Sequence, residues 1–117
     1  LVILELSSVE PSSPTANTGT DTGTGTTPSH AFTPRMAEGI VIGAFTHLGV
    51  SMTLGSGSGF SPVREMEDPA SGPTLHVEAQ AIGTPALLTV DGTLGISATW
   101  GILAVAFRQW TTYFSVG

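Results

Sequence analysis

Residues 74–82 read TLHVEAQAI, and their alternation decides the class of the fold. Leu75, Val77, Ala79 and Ala81 fall on one side of an extended chain, His76, Glu78 and Gln80 on the other. A period of two sustained over nine residues specifies a β-strand with one apolar and one polar face. The polar row reads as a solvated acidic face. Upstream, GIVIGAFTHL (39–48) carries apolar residues on both faces, and so does ISATWGILAVAF (96–107) downstream. Strands of that kind are covered on both sides. LVILEL (1–6) has the same character apart from Glu5.

Turn-forming clusters punctuate these runs. VSMTLGSGSGF (50–60) is a strand closed by a Gly/Ser turn, and SPVREME (61–67) ends at DPASGP (68–73). ALLTV (86–90) is followed by DGT (91–93), read as a turn, and SHAFTPRMAEG (29–39) is read as a connection. Only residues 36–48 have the length for a helix, and their β-branched, glycine-broken interior disfavours one. Seven to nine short strands at regular spacing specify a sandwich or jelly roll.

Residues 15–28 (TANTGTDTGTGTTP) admit two readings, a disordered linker or a polar strand. Thr18, Thr20, Thr22, Thr24 and Thr26 recur at strict period two, and threonine suits a pleated surface. The tract is therefore expected to be a strand at a sheet edge or facing solvent.

Composition narrows the function. Nine acidic residues against three arginines (Arg35, Arg64, Arg108) and no lysine give a net charge of −6 over 117 residues. Only 10% of the chain is charged, where an average soluble domain has about 25%. Threonine, serine and glycine take the place of charge, as in many extracellular and assembly proteins. Nucleic-acid binding needs a basic footprint that this sequence does not supply. Without cysteine there is no disulfide, thiolate zinc site or thiol nucleophile. No apolar run reaches the roughly 18 residues of a membrane-spanning helix. Leu1 opens inside an apolar strand with no turn ahead of it, so the sandwich is expected to lack its first strands in this chain.

In order, the segments LVILELSSVEPSSP (1–14), the Thr/Gly tract, EGIVIGAF (38–45), GSGF (57–60), LHVEAQAI (75–82) and SATWGILAVAFR (97–108) resemble a known domain. It is the later half of a jelly-roll-like β-sandwich found in bacterial secreted proteins and phage structural proteins. The resemblance covers residues 1–108 and leaves 109–117 as a C-terminal extension, strand or tail. It implies an antiparallel sandwich in an extracellular or virion-associated setting, and brings no catalytic residues with it.

Candidate chemistry is sparse. His76 and Glu78 share one strand face at i, i+2, a spacing at which two side chains can ligate one metal, with Glu65 or Glu67 as a third ligand. Glu65 and Glu78 can also approach across a hairpin as glycosidase carboxylates do. Against both stands a solvated acidic face, or an ion pair of Arg64 with Glu78 or Glu5. A Ser/His/Asp triad lacks its GxSxG elbow, and the Gly/Ser turn explains GSGSG (55–59). Trp100 belongs to the core. Trp110, Tyr113 and Phe114 follow the domain's usual end, where they would anchor the tail on a neighbouring subunit or stack on sugar rings.

These features point to a non-enzymatic structural or decoration module without cofactor. It would pack against other copies of itself or a larger scaffold through sheet edges and the aromatic tail. The alternative is a carbohydrate-binding or adhesive module with glycan partners.

Overall fold

The β-branched and aromatic runs of the sequence do form strands, eight of them among the residues that the computed structural model describes. Those residues are 14–36, 38–48, 54–66, 74–84 and 86–109, without the side chains of residues 65, 66 and 74. In chain order the strands are β1 (Thr15–Gly25), β2 (Ser29–Phe32), β3 (Gly39–His47), β4 (Leu54–Ser56), β5 (Ser61–Met66), β6 (Thr74–Ile82), β7 (Leu88–Leu94) and β8 (Ala98–Arg108). They make a five-stranded sheet of order β1-β8-β3-β6-β5 and a three-stranded sheet of order β2-β7-β4. Every pairing is antiparallel. The two sheets pack face to face as an all-β sandwich, with no helix among the described residues. LVILEL, DPASGP and the segment WTTYFSVG lie outside the described residues.

The Thr/Gly tract is a strand, and its alternation has a simple cause. Among the described residues β1 is the edge strand of the large sheet, and Thr18, Thr20, Thr22 and Thr24 all face solvent. Of the residues between them, Gly19 and Gly23 turn inward, where space is short, while Asp21 stays exposed. A Cβ on Gly19 would run into the His30 ring, and one on Gly23 into the Trp100 indole. Asn17, also on the inner face, ties down the β2–β3 connection: its Nδ2 donates to the Thr33 carbonyl (2.9 Å) and its Oδ1 accepts from the Arg35 N–H (3.0 Å).

The core lies between the sheets. Val41 and Phe45 of β3, Ile102, Ala104 and Ala106 of β8, and Val90 and Leu94 of β7 are buried together, with Phe32, Met36 and Phe60 closing the ends. Trp100 packs against this cluster half-buried, as its sequence context predicts. The GSGF segment is a tight turn in which the Phe60 N–H donates to the Gly57 carbonyl (3.1 Å). Gly59 supplies the left-handed residue there at φ 84°, a conformation that a Cβ would strain.

Three local expectations are corrected. SHAF (29–32) is a strand rather than a connection, because its backbone pairs residue by residue with β7 from Ser29↔Asp91 to Phe32↔Leu88. DGT (91–93) is not a turn: Asp91 pairs with Ser29 of β2, Gly92 and Thr93 pair with Ser56 and Gly55 of β4, and the chain reverses only after Leu94. The third concerns β6, whose polar row does not face water. In register, Phe45 stands opposite His76 and Gly43 opposite Glu78, on the face that carries the core. His76 and Glu78 are 2% and 0% exposed.

Filling the thin inner face of β1 should be costly and its outer face tolerant. Gly23→Ala drives a Cβ into the Trp100 ring and is expected to lower stability by about 1–3 kcal/mol in urea denaturation. Thr22→Val, on the solvent side of the same strand, is expected to stay within about 0.5 kcal/mol of wild type.

Candidate functional site

The inward row of β6 is possible because the large sheet is thin at that point. Reading across it, Gly19, Ala104, Gly43, Glu78 and Pro62 stand in register from β1 to β5. Three of those five residues are glycine or alanine, which leaves room for groups from the small sheet to descend. Val90 fills the space over Gly43, where a Cβ would collide with it, and the Glu78 side chain runs alongside.

β4 ends directly over His76 and Glu78. The Ser56 Oγ lies 2.8 Å from His76 Nε2, and the Gly57 N–H donates to Glu78 Oε2 at 3.0 Å. His76 Nε2 is itself 3.7 Å from Glu78 Oε2, and its ring stacks obliquely on Phe45, the centroids 4.8 Å apart. Asp91 approaches from β7. Its Oδ1 is buried without a hydrogen-bond partner, against Gly57 on the side where a Cβ would project. Glu78 Oε1 and both ring nitrogens of the buried His47 are also without partners.

The electrostatics follow from this enclosure. Burial pushes the Glu78 carboxyl up from 4.5 to about 7. The Gly57 N–H and the Ser56 hydroxyl pull it down, and the Asp91 charge raises it further. Desolvation prevails because a carboxylate in a low-dielectric interior loses more hydration than two donors restore.

The cluster is not a nucleophile relay. Such a relay needs the serine on one imidazole nitrogen and the acid on the other, so that the acid orients the ring while the base takes the proton. Here Ser56 and Glu78 both approach Nε2.

The sequence-derived candidates fare unevenly. His76 and Glu78 do come together, on the buried side of the sheet. Glu65 stands in register with His76, but its side chain lies outside the description. Among the described residues, no three His, Asp or Glu side chains are grouped to hold a metal ion. Arg64 does not neutralise Glu78, since it is exposed and stands opposite Val77. Trp110, Tyr113 and Phe114 are outside the described residues. Sequence reasoning missed Ser56, Gly57 and Asp91. Ser56 and Gly57 belong to a Gly/Ser run that reads as turn, and Asp91 sits in an Asp-Gly pair that reads the same way. The only signal available was polar residues at strand period beside an apolar run. Compared with protein-family models, curated proteins and solved structures, the chain matches none.

Gly57 is the spatial hinge of the cluster. Gly57→Ala brings a Cβ onto both the Asp91 carboxyl and the Asp91 backbone carbonyl. The variant is expected to lose about 1–3 kcal/mol of stability, measured by urea denaturation. Ser58→Ala, one residue on in the exposed turn, should be near neutral.

Proposed function

We propose that this chain is a non-enzymatic structural module that assembles with copies of itself or a scaffold, and that the outer face of its large sheet is the contact surface. The carrying observation is the row structure of that face. Thr18, Val105, Ile42, Ala79 and Ser61 form one cross-strand row, and Thr20, Leu103, Ala44, Val77 and Arg64 the next, with Val77 itself buried. Leu103 is 41% exposed. Ile40, Ile42, Val105 and Phe107 belong to the same face and take no part in the buried core cluster.

Charge supports the reading. In a chain of net charge −6, the paired outward rows carry a single charged residue, Arg64, at the β5 edge. Depletion of charge at the centre of a surface, with polar residues around it, is the composition of a protein–protein contact rather than of a solvated face. The exposed threonine edge of β1 continues the surface without a lysine or proline to blunt it. The strand order supports the jelly-roll form of the sandwich, because β1 to β5 alternate between the two sheets, as do β6 to β8. β5 departs from simple alternation by pairing with β6. An extracellular or virion-associated setting is the one in which such an uncharged Thr/Ser/Gly surface is at home.

Light scattering with size-exclusion chromatography tests the proposal. Wild-type protein is expected to elute as a multimer, and Leu103→Glu as a monomer with an unchanged β-sheet circular dichroism spectrum. A wild-type chain that stays monomeric at the highest soluble concentration overturns self-association, and retention of wild-type protein alone on a candidate scaffold would then redirect the reading to that partner.

A further inference from the structure

Two carboxyl groups from different sheets meet at one glycine. Glu78, on β6 of the large sheet, accepts the Gly57 N–H on Oε2 at 3.0 Å. Asp91, on β7 of the small sheet, lies against the same residue with its Oδ1 buried and without a hydrogen-bond partner. Glu78 Oε1 is buried and without a partner as well. Both acids therefore flank Gly57 at the seam where β4 rests on β6 and β7 on β3.

We infer that Glu78 and Asp91 form a proton-operated latch between the two sheets. With one proton on the pair, the carboxyl and the carboxylate sit together at Gly57. When that proton leaves, two like charges face each other in a dry seam, and the β4–β7 side of the small sheet lifts from β6.

Among the described residues, the basic group at ion-pair distance from Glu78 is His76. On its own strand Glu78 faces His76, whose Nε2 is 3.7 Å from Oε2 and 2.8 Å from the Ser56 hydroxyl. β3 brings Gly43 opposite Glu78 and, further along, the buried His47. β4 brings the Ser56 hydroxyl and the Gly57 N–H, and β7 brings Asp91. β5 sets Pro62 opposite Glu78, with the exposed Arg64 opposite Val77 and Glu65 in register with His76. In the same row β8 contributes Ala104.

The direction of the pH response follows. Burial holds Glu78 at about 7 in the folded protein, against 4.5 for an ordinary glutamate. Between those values the folded chain keeps a proton that the unfolded chain has released. Stability is therefore full below 4.5, falls as pH rises through about 7, and levels off above. Each unit of displacement is a factor of ten in the folding equilibrium. The expected loss is thus roughly a hundred-fold or more.

Three measurements on the full chain decide the matter. Urea denaturation from about pH 5 to about pH 8 should show that roughly hundred-fold loss in wild type and almost none in Glu78→Gln, which keeps an acceptor for Gly57. Carbon-detected NMR of the Glu78 carboxyl should titrate near neutrality in wild type and lower in Asp91→Asn, a readout that stands if Glu78→Gln does not fold. Amide exchange, corrected for its intrinsic pH dependence, should accelerate at Gly57, whose N–H is held by Glu78, ahead of the β3–β8 ladder. A Glu78 midpoint in the ordinary carboxylate range, or an undiminished pH slope in Glu78→Gln, overturns the latch. So does exchange that accelerates equally in all strands, since the sheets would then not part at this seam.

Discussion

The structure turns on the burial of Glu78. A carboxyl taken out of water must be paired, hydrogen-bonded or protonated, because the cost of desolvating the bare charge exceeds what a single domain can spare. This chain contains no lysine, and no arginine is among the groups that set the Glu78 ionisation. The remaining routes are the neighbouring His76, hydrogen-bond donors and a proton. β4 supplies the donors through Ser56 and Gly57, and for that it must end over the middle of β6. The position of the small sheet on the large one is thus tied to one acidic side chain and the few groups that can satisfy it.

The same constraint explains the distribution of small residues. Gly19, Ala104 and Gly43 make the large sheet thin along the Glu78 row, and each leaves space for something descending from the other sheet. His30 stands over Gly19 and Val90 over Gly43. Larger residues in those places would hold the sheets apart and leave Glu78 in a gap with no protein donor. On the opposite face the pressure is reversed. There the rows are apolar or threonine up to β5, which adds Ser61 and Arg64, and Leu103 is exposed, so the large sheet has hydrophobic residues on both sides while the polar face of β6 is turned inward.

How far this was legible depends on the range of the interaction. Period-two alternation is a property of the local chain, so β1, β3, β6 and β8 could be read directly, and the solvent-facing threonine row of β1 with them. The GSGF turn was equally legible, since its conformation needs only Gly59. SHAF and DGT were misread because their strand character comes from distant partners, SHAF from residues 88–91 and DGT from Ser29, Ser56 and Gly55, against local turn chemistry. The orientation of β6 was hidden for a different reason. Alternation says that Leu75 and His76 point to opposite faces, but it does not say which face meets the second sheet.

The sequence by itself determined that this is an all-β chain, that its strands carry apolar residues on both faces, and that its surface relies on threonine, serine and glycine rather than charge. Those are consequences of residue type and spacing. Only the tertiary structure decided that the polar face of β6 is the buried one. Burial of a carboxyl depends on donors from Ser56 and Gly57, on a second acid at Asp91 and on glycines distant in the chain. Their approach to Glu78 exists only once both sheets have formed and closed on each other.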